Sequence, residues 1–142
     1  EQAAAIARAG RPEDGIRFIE ATAGQGDPQA NFIVAHWLLY GSDRPRDTAA
    51  ACRHLERSAE GGSAEAMRVL AHLAASGTGC AADRGKALAL LRKAAAEDAI
   101  AAGELEMLDR VAGEVASWTR DLLSPAVQRG VERLNGPARL LP

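Results

Sequence analysis

Displacing the sequence against itself by 36 positions lays Gly26 on Gly62, Ala30 on Ala66, Gly41 on Gly77, Asp47 on Asp83 and Ala59 on Ala95. The same displacement carries Ile16, Arg17, Ile19 and Ala23 onto Cys52, Arg53, Leu55 and Ala59, so the period reaches back into the first segment. Between the glycines, apolar residues recur every three or four positions, which is the spacing of one face of a helix. A unit of this length holds two helices and cannot bury both apolar faces alone. Successive units must therefore stack, and an all-α solenoid is the expected fold.

Composition closes off the alternatives. Only 4% of the 142 residues are aromatic, 32 are Ala, and β-branched residues are scarce, so a sandwich or barrel has little to build with. No apolar run approaches the roughly 20 residues of a membrane-spanning helix, and the expected chain is soluble, with no membrane partner. Seventeen basic and 19 acidic residues leave a net charge of −2, and the basic ones are not clustered. Nucleic acid is therefore not an expected partner. The first residue is Glu1, with no apolar signal core behind it, which reads as a trimmed or excised chain.

Helix starts agree with the period. Asp27 and Ser63 stand at N-cap positions, Pro28 suits a first helical turn, and Asp47 and Asp83 open the second helix of each unit. The expected helices run over about 3–9, 12–23, 28–40, 48–60, 64–76, 84–97, 99–122 and 125–134. Ala35, Ala51, Ala59, Ala71, Ala87 and Ala95 let neighbouring backbones approach closely while Leu and Val fill the seams.

The stretch Ala66-x-x-x-Leu70-Ala71-x-x-Ala74-x-x-Gly77-x-Gly79-Cys80-x-x-Asp83-x-x-Lys86-Ala87-x-x-Leu90-x-x-Lys93-Ala94-Ala95 resembles a Sel-one-like repeat (SLR), a relative of the tetratricopeptide repeats. The preceding unit keeps Ala30, Val34, Ala35, Gly41, Asp47, Ala51, Leu55 and Ala59 but has Asp43 in place of the second turn glycine. Residues 1–23 look like a shortened unit, and the third match fades after Asp98 and Ala101. The resemblance implies a right-handed α-α superhelix in which the first helix of each unit lines a concave groove that holds a protein or peptide. By register it assigns Phe32, His36, Leu39 and Tyr40 to that groove in one unit, and Arg68, Val69, His72 and Ser76 in the next. Phe32, His36, Tyr40, Arg68 and His72 are the candidate partner-binding residues, because aromatic side chains and Arg dominate interaction hot spots.

Other chemistry lacks its residues. His36 and His72 share a register, but no acidic or Cys cluster accompanies them as a zinc site requires, so no metal and no cofactor are expected. There is no phosphate loop, no paired metal motif and no nucleophile turn, so the chain is not expected to be an enzyme. Cys52 occupies an apolar register and Cys80 a turn position, and both read as small hydrophobes, with two free thiols expected. A bond between them is geometrically open, since both fall at the same end of the stack. Extracellular relatives, by contrast, link the two helices of one unit, a spacing not reproduced here.

After residue 98 the pattern changes. Leu105, Leu108, Val111, Val115, Trp118 and Leu122 form a stripe expected to cap the stack as one long helix, with Gly113 its weak point. This divides the chain into a solenoid with its cap, 1–123, and a short helix with linker, 124–142. The expected function is a non-enzymatic interaction scaffold, monomeric or weakly dimeric, in the cytoplasm, with the periplasm or secretion as the alternative. A second reading is an accessory domain of a larger enzyme. Repeats, a Trp118 helix, Leu122-Leu123-x-Pro125 and a Pro-bearing linker are similar in order to bacterial chains whose repeats precede an Fe(II)/2-oxoglutarate-dependent prolyl-hydroxylase-like domain. The His-x-Asp iron ligands of such a domain do not occur here.

Overall fold

The computed structural model describes residues 12–122 together with 125, 126 and 129. Six helices follow one another: α1 (Pro12–Gly24), α2 (Pro28–Tyr40), α3 (Thr48–Glu60), α4 (Ala64–Ser76), α5 (Arg84–Ala94) and α6 (Ala99–Leu122), and no strand occurs among the described residues. The expected helices over 3–9 and most of 125–134 lie outside the described residues.

Each boundary has a local cause. The side chains of Asp27, Asp47, Ser63 and Asp83 accept from the backbone N–H groups of Ala30, Ala50, Ala66 and Lys86, satisfying donors that a helix start leaves free. Gly41 and Gly77 close α2 and α4 in the left-handed conformation, with φ of 72° and 73°, and return their N–H groups to Trp37 and Leu73. Helix α5 ends at Ala94 rather than near residue 97. Its last turn tightens, Ala96 and Glu97 donating three residues back to Lys93 and Ala94, so that Asp98 can cap α6 through Ile100 and Ala101. Helix α6 passes through Gly113 without a break.

Among the described residues, those up to Leu105 form one compact unit and those from Glu106 onward another. In the first, α2 pairs with α3 and α4 with α5, while α1 packs on α2 and α3 on α4, as in a solenoid of helix pairs. The core is built largely from alanine: Ala35, Ala51, Ala66, Ala94 and Ala101 are fully buried. Leu55 and Leu70 are the large side chains sealed between them. Ala66 and Leu70 recur as Ala101 and Leu105, and Ser63 as Asp98, each 35 rather than 36 positions on. The start of α6 is thus the first helix of a third unit, hidden from the 36-residue comparison by one deleted residue. Beyond Leu105 on α6, Met107, Leu108, Val111 and Val115 are each about half exposed.

The expected pair of free thiols is corrected by the structure. Cys52 in the first turns of α3 and Cys80 in the turn before α5 form a disulfide across 28 residues, with Cα atoms 6.1 Å apart, a separation ordinary for such bonds. The sequence reading treated both as isolated small hydrophobes because nothing local joins them. Gly79 brings them together: with φ of 74° its backbone lies against the Thr48 carbonyl, where any Cβ would collide. One period earlier the position of Cys80 is held by Arg44, which also reaches back to the preceding second helix. There its guanidinium meets Glu20 and Glu13 of α1. The same topological junction is therefore tied by ion pairs in one unit and by a covalent bond in the next.

Candidate functional site

The candidate residues separate into two groups. On α2, Phe32, His36 and Tyr40 follow at i, i+4 and i+8, which places them along one side of the helix. Phe32 is half buried against the core formed by Ala35, Leu55 and Leu70. His36 is exposed, and its ring lies 4.6 Å from that of Tyr40 at a tilt of 48°. Tyr40, the last residue of α2, is 72% exposed, an unusual amount for so large a ring. Leu39 instead packs on the core beside Phe32.

On α4 the side chains are already engaged. Arg68 Nε donates to Asp98 Oδ2 at 2.8 Å, and the two side chains are only 17% and 11% exposed. His72 Nε2 meets Glu104 Oε2 at 2.8 Å, and Ser76 turns its hydroxyl back to the carbonyls of His72 and Leu73. Val69 lies on the core. No hydrogen bond, ion pair or ring contact among the described residues joins the α2 group to the α4 group. Nor do three or more His, Cys, Asp or Glu side chains converge among them as a metal site needs.

Asp98 is held below the ordinary carboxyl value, chiefly by the hydrogen bond from Arg68 and further by the N–H groups of Ala101 and Ile100. Because the folded value is depressed, the pair stabilises fully above the unfolded carboxyl value near 4, and the contribution is lost as pH falls through the folded value. Arg68→Ala is expected to lower stability by about 1–3 kcal/mol at neutral pH, since it strips a partly buried carboxylate of its strongest donor. Urea denaturation at neutral and at strongly acid pH tests this: the difference from the parent chain should shrink on acidification.

A second polar cluster was not among the residues singled out from sequence. Asn31 is fully buried, and its amide nitrogen donates to the carbonyls of Ala23 and Asp27 at 2.9 Å each. Its oxygen therefore faces His54 Nδ1, also at 2.9 Å. An acceptor oxygen there requires Nδ1 to carry the proton, so Nε2 holds a lone pair. Burial first, then the charges of Arg57 and Arg53, hold His54 below the ordinary imidazole value, which keeps it neutral at neutral pH. Beside it Arg44 uses every N–H it has, on Glu20, Glu13 and the Asp43 carbonyl. That hydrogen bonding holds the Glu20 carboxyl below its ordinary value. The signal for this cluster was the repeat itself, for one period later Asn31 becomes Met67 and His54 becomes Leu90.

The family model described as Sel1 repeat matches residues 28–63 and 64–98, together half of the chain. The crystal structure of a Sel1 repeat protein from Oxalobacter formigenes is similar over 68% of this chain, with 30% identity and a TM-score of 0.65. A protective antigen present in uropathogenic Escherichia coli strains, displaying an SLR fold, is similar over 64% with a TM-score of 0.61, and at 21% identity that likeness concerns the fold alone. The chain spans 28% and 20% of the lengths of these two proteins. No curated protein matches it.

Proposed function

The chain belongs to the Sel1 repeat family, whose members are generally non-enzymatic scaffolds for protein interaction, and on that premise we propose that it binds a peptide or protein segment along its first helices. Phe32, His36 and Tyr40 on α2, with Arg68 and His72 on α4, are the contact residues of this reading. The observation that carries it is the exposed ring pair of His36 and Tyr40 at the end of α2. A rigid aromatic side chain left 72% in water gains more from covering by a partner than any neighbour on that face. Phe32, seated on the core below, fixes the base of the ridge, and the ion pair of Arg68 with Asp98 and the hydrogen bond of His72 with Glu104 hold the adjoining helices. The disulfide supports an oxidising compartment, periplasmic or extracellular, over the cytoplasm.

The test begins with a partner captured from native extract and reduced to its binding segment. Tyr40→Ala should then weaken that segment by about 1–2 kcal/mol while the melting temperature stays within error of the parent. A loss of stability of several kcal/mol, with affinity per folded molecule intact, would assign Tyr40 to the core and remove the groove.

A further inference from the structure

Asn31 joins three helices. Its amide nitrogen holds the Ala23 carbonyl in the last turn of α1, its backbone belongs to α2, and its oxygen accepts from His54 Nδ1 on α3. Around it Ile16, Ile19 and Ala23 of α1 pack on Ala30, Val34 and Trp37 of α2. One period later Ala59, Met67 and Leu90 stand where Ala23, Asn31 and His54 do, so the fold itself requires no polar group at this junction. A buried amide paired with an imidazole is an unfavourable substitute for apolar contact, and such departures from local rule concentrate where a protein does more than fold.

The charges around His54 decide how the junction responds to a proton. Helix α1 presents Glu20 and Glu13, the segment before α3 presents Arg44, Arg46 and Asp47, and α3 itself carries Arg53 and Arg57. Helix α2 contributes no Asp, Glu, Lys or Arg. Only the carboxylates of α1 could reward a charged ring for keeping α1 in place, and Arg44 already holds Glu13 and both oxygens of Glu20. Asp47 spends one oxygen capping α3. Burial of the ring therefore outweighs the attraction of Glu20, while Arg53 and Arg57 repel the charged ring whether or not α1 is docked. His54 lies at the edge of an open concavity, so a proton from solvent reaches Nε2.

We infer that Asn31 and His54 form an acid-sensitive latch, in which protonation of His54 releases α1 from α2 and uncovers the apolar seam of Val34 and Trp37. Releasing α1 restores water to the ring, so the undocked ring takes up its proton at a higher pH than the docked one. Docking is accordingly strongest above the ordinary imidazole value near 6.5, weakens as pH falls below it, and levels off once the docked ring is protonated as well. Glu20 and Asp98, both held below the ordinary carboxyl value, titrate in a lower window. The next junction has apolar residues in this place and the Cys52 to Cys80 bond beside it, and serves as the internal reference. The latch is separate from the first-helix face and does not depend on that reading.

Amide exchange of the full chain, corrected for the intrinsic effect of pH on exchange, tests the latch alongside titration of the His54 ring resonances. Protection of the Ile19 and Ala23 amides of α1 should fall by about three- to tenfold between about pH 7.5 and about pH 5, over the range in which the His54 ring titrates, because one proton changes an equilibrium by at most about tenfold per pH unit. Leu91 of α5 should keep its protection. The double variant Asn31→Met/His54→Leu copies the second unit and retains His36 and His72, so its α1 protection should be independent of pH over the same range. Protection of α1 unchanged by pH in the parent chain, an equal fall at Leu91, or the same fall in the folded double variant would each overturn the latch.

Discussion

Truncating Leu55 to alanine is expected to destabilise the chain by about 2–5 kcal/mol, toward the upper end of that range. The side chain is 1% exposed and lies among Ala35, Cys52, Ala59, Ala66 and Leu70, drawn from α2, α3 and α4. The cost of such a truncation depends on how far the surroundings collapse into the space left behind. Alanine has no rotamers with which to follow, and Cys52 is pinned by its disulfide, so most of the cavity should persist. Because stacked units are held only by their neighbours, a weakened seam between the first and second units also lets the two ends unfold separately. Urea denaturation followed by circular dichroism would show a lower midpoint and a shallower transition. A loss below about 1 kcal/mol would mean that the helices close over the gap, contrary to the alanine packing described above.

The same alanine packing explains how much of the fold was legible in the sequence. Helices α2, α3 and α4 begin and end where expected because each carries both a side-chain cap and a terminating glycine, and these act within a few residues of chain. The end of α5 was less legible because its stop is imposed by Asp98, which must restart the chain as α6 one residue earlier than the period allows. On the candidate face, periodicity places Phe32, His36 and Tyr40 on one side of α2. It is silent on Asp98 and Glu104, which occupy Arg68 and His72 from about 30 residues away. Asn31 and His54 lie 23 residues apart on different helices, so no local pattern links them. Reading the repeat for its differences, rather than its agreements, would have drawn attention to both.

Opening the Cys52 to Cys80 bond is the other large effect to be expected. Closing a loop across 28 residues restricts the unfolded ensemble, and a bond of this kind contributes about 2–4 kcal/mol. The native chain should therefore have a mass two hydrogens below that of its dithiol form, and reductant should lower its urea midpoint by the corresponding amount. The double variant Cys52→Ala/Cys80→Ala should match the reduced parent and be insensitive to reductant, which separates the bond from any other action of the reagent. Arg44 provides the internal comparison. It ties the preceding junction through a partly exposed network with Glu13 and Glu20, which salt screens and which contributes less than a covalent bond. Reduction should consequently loosen the junction between the first and second units more than salt loosens the one before it, a difference that amide exchange along α3 and α1 would resolve. Equal protection of α3 in the oxidised and reduced chains would show that packing alone holds the junction, with the disulfide adding nothing to the native state.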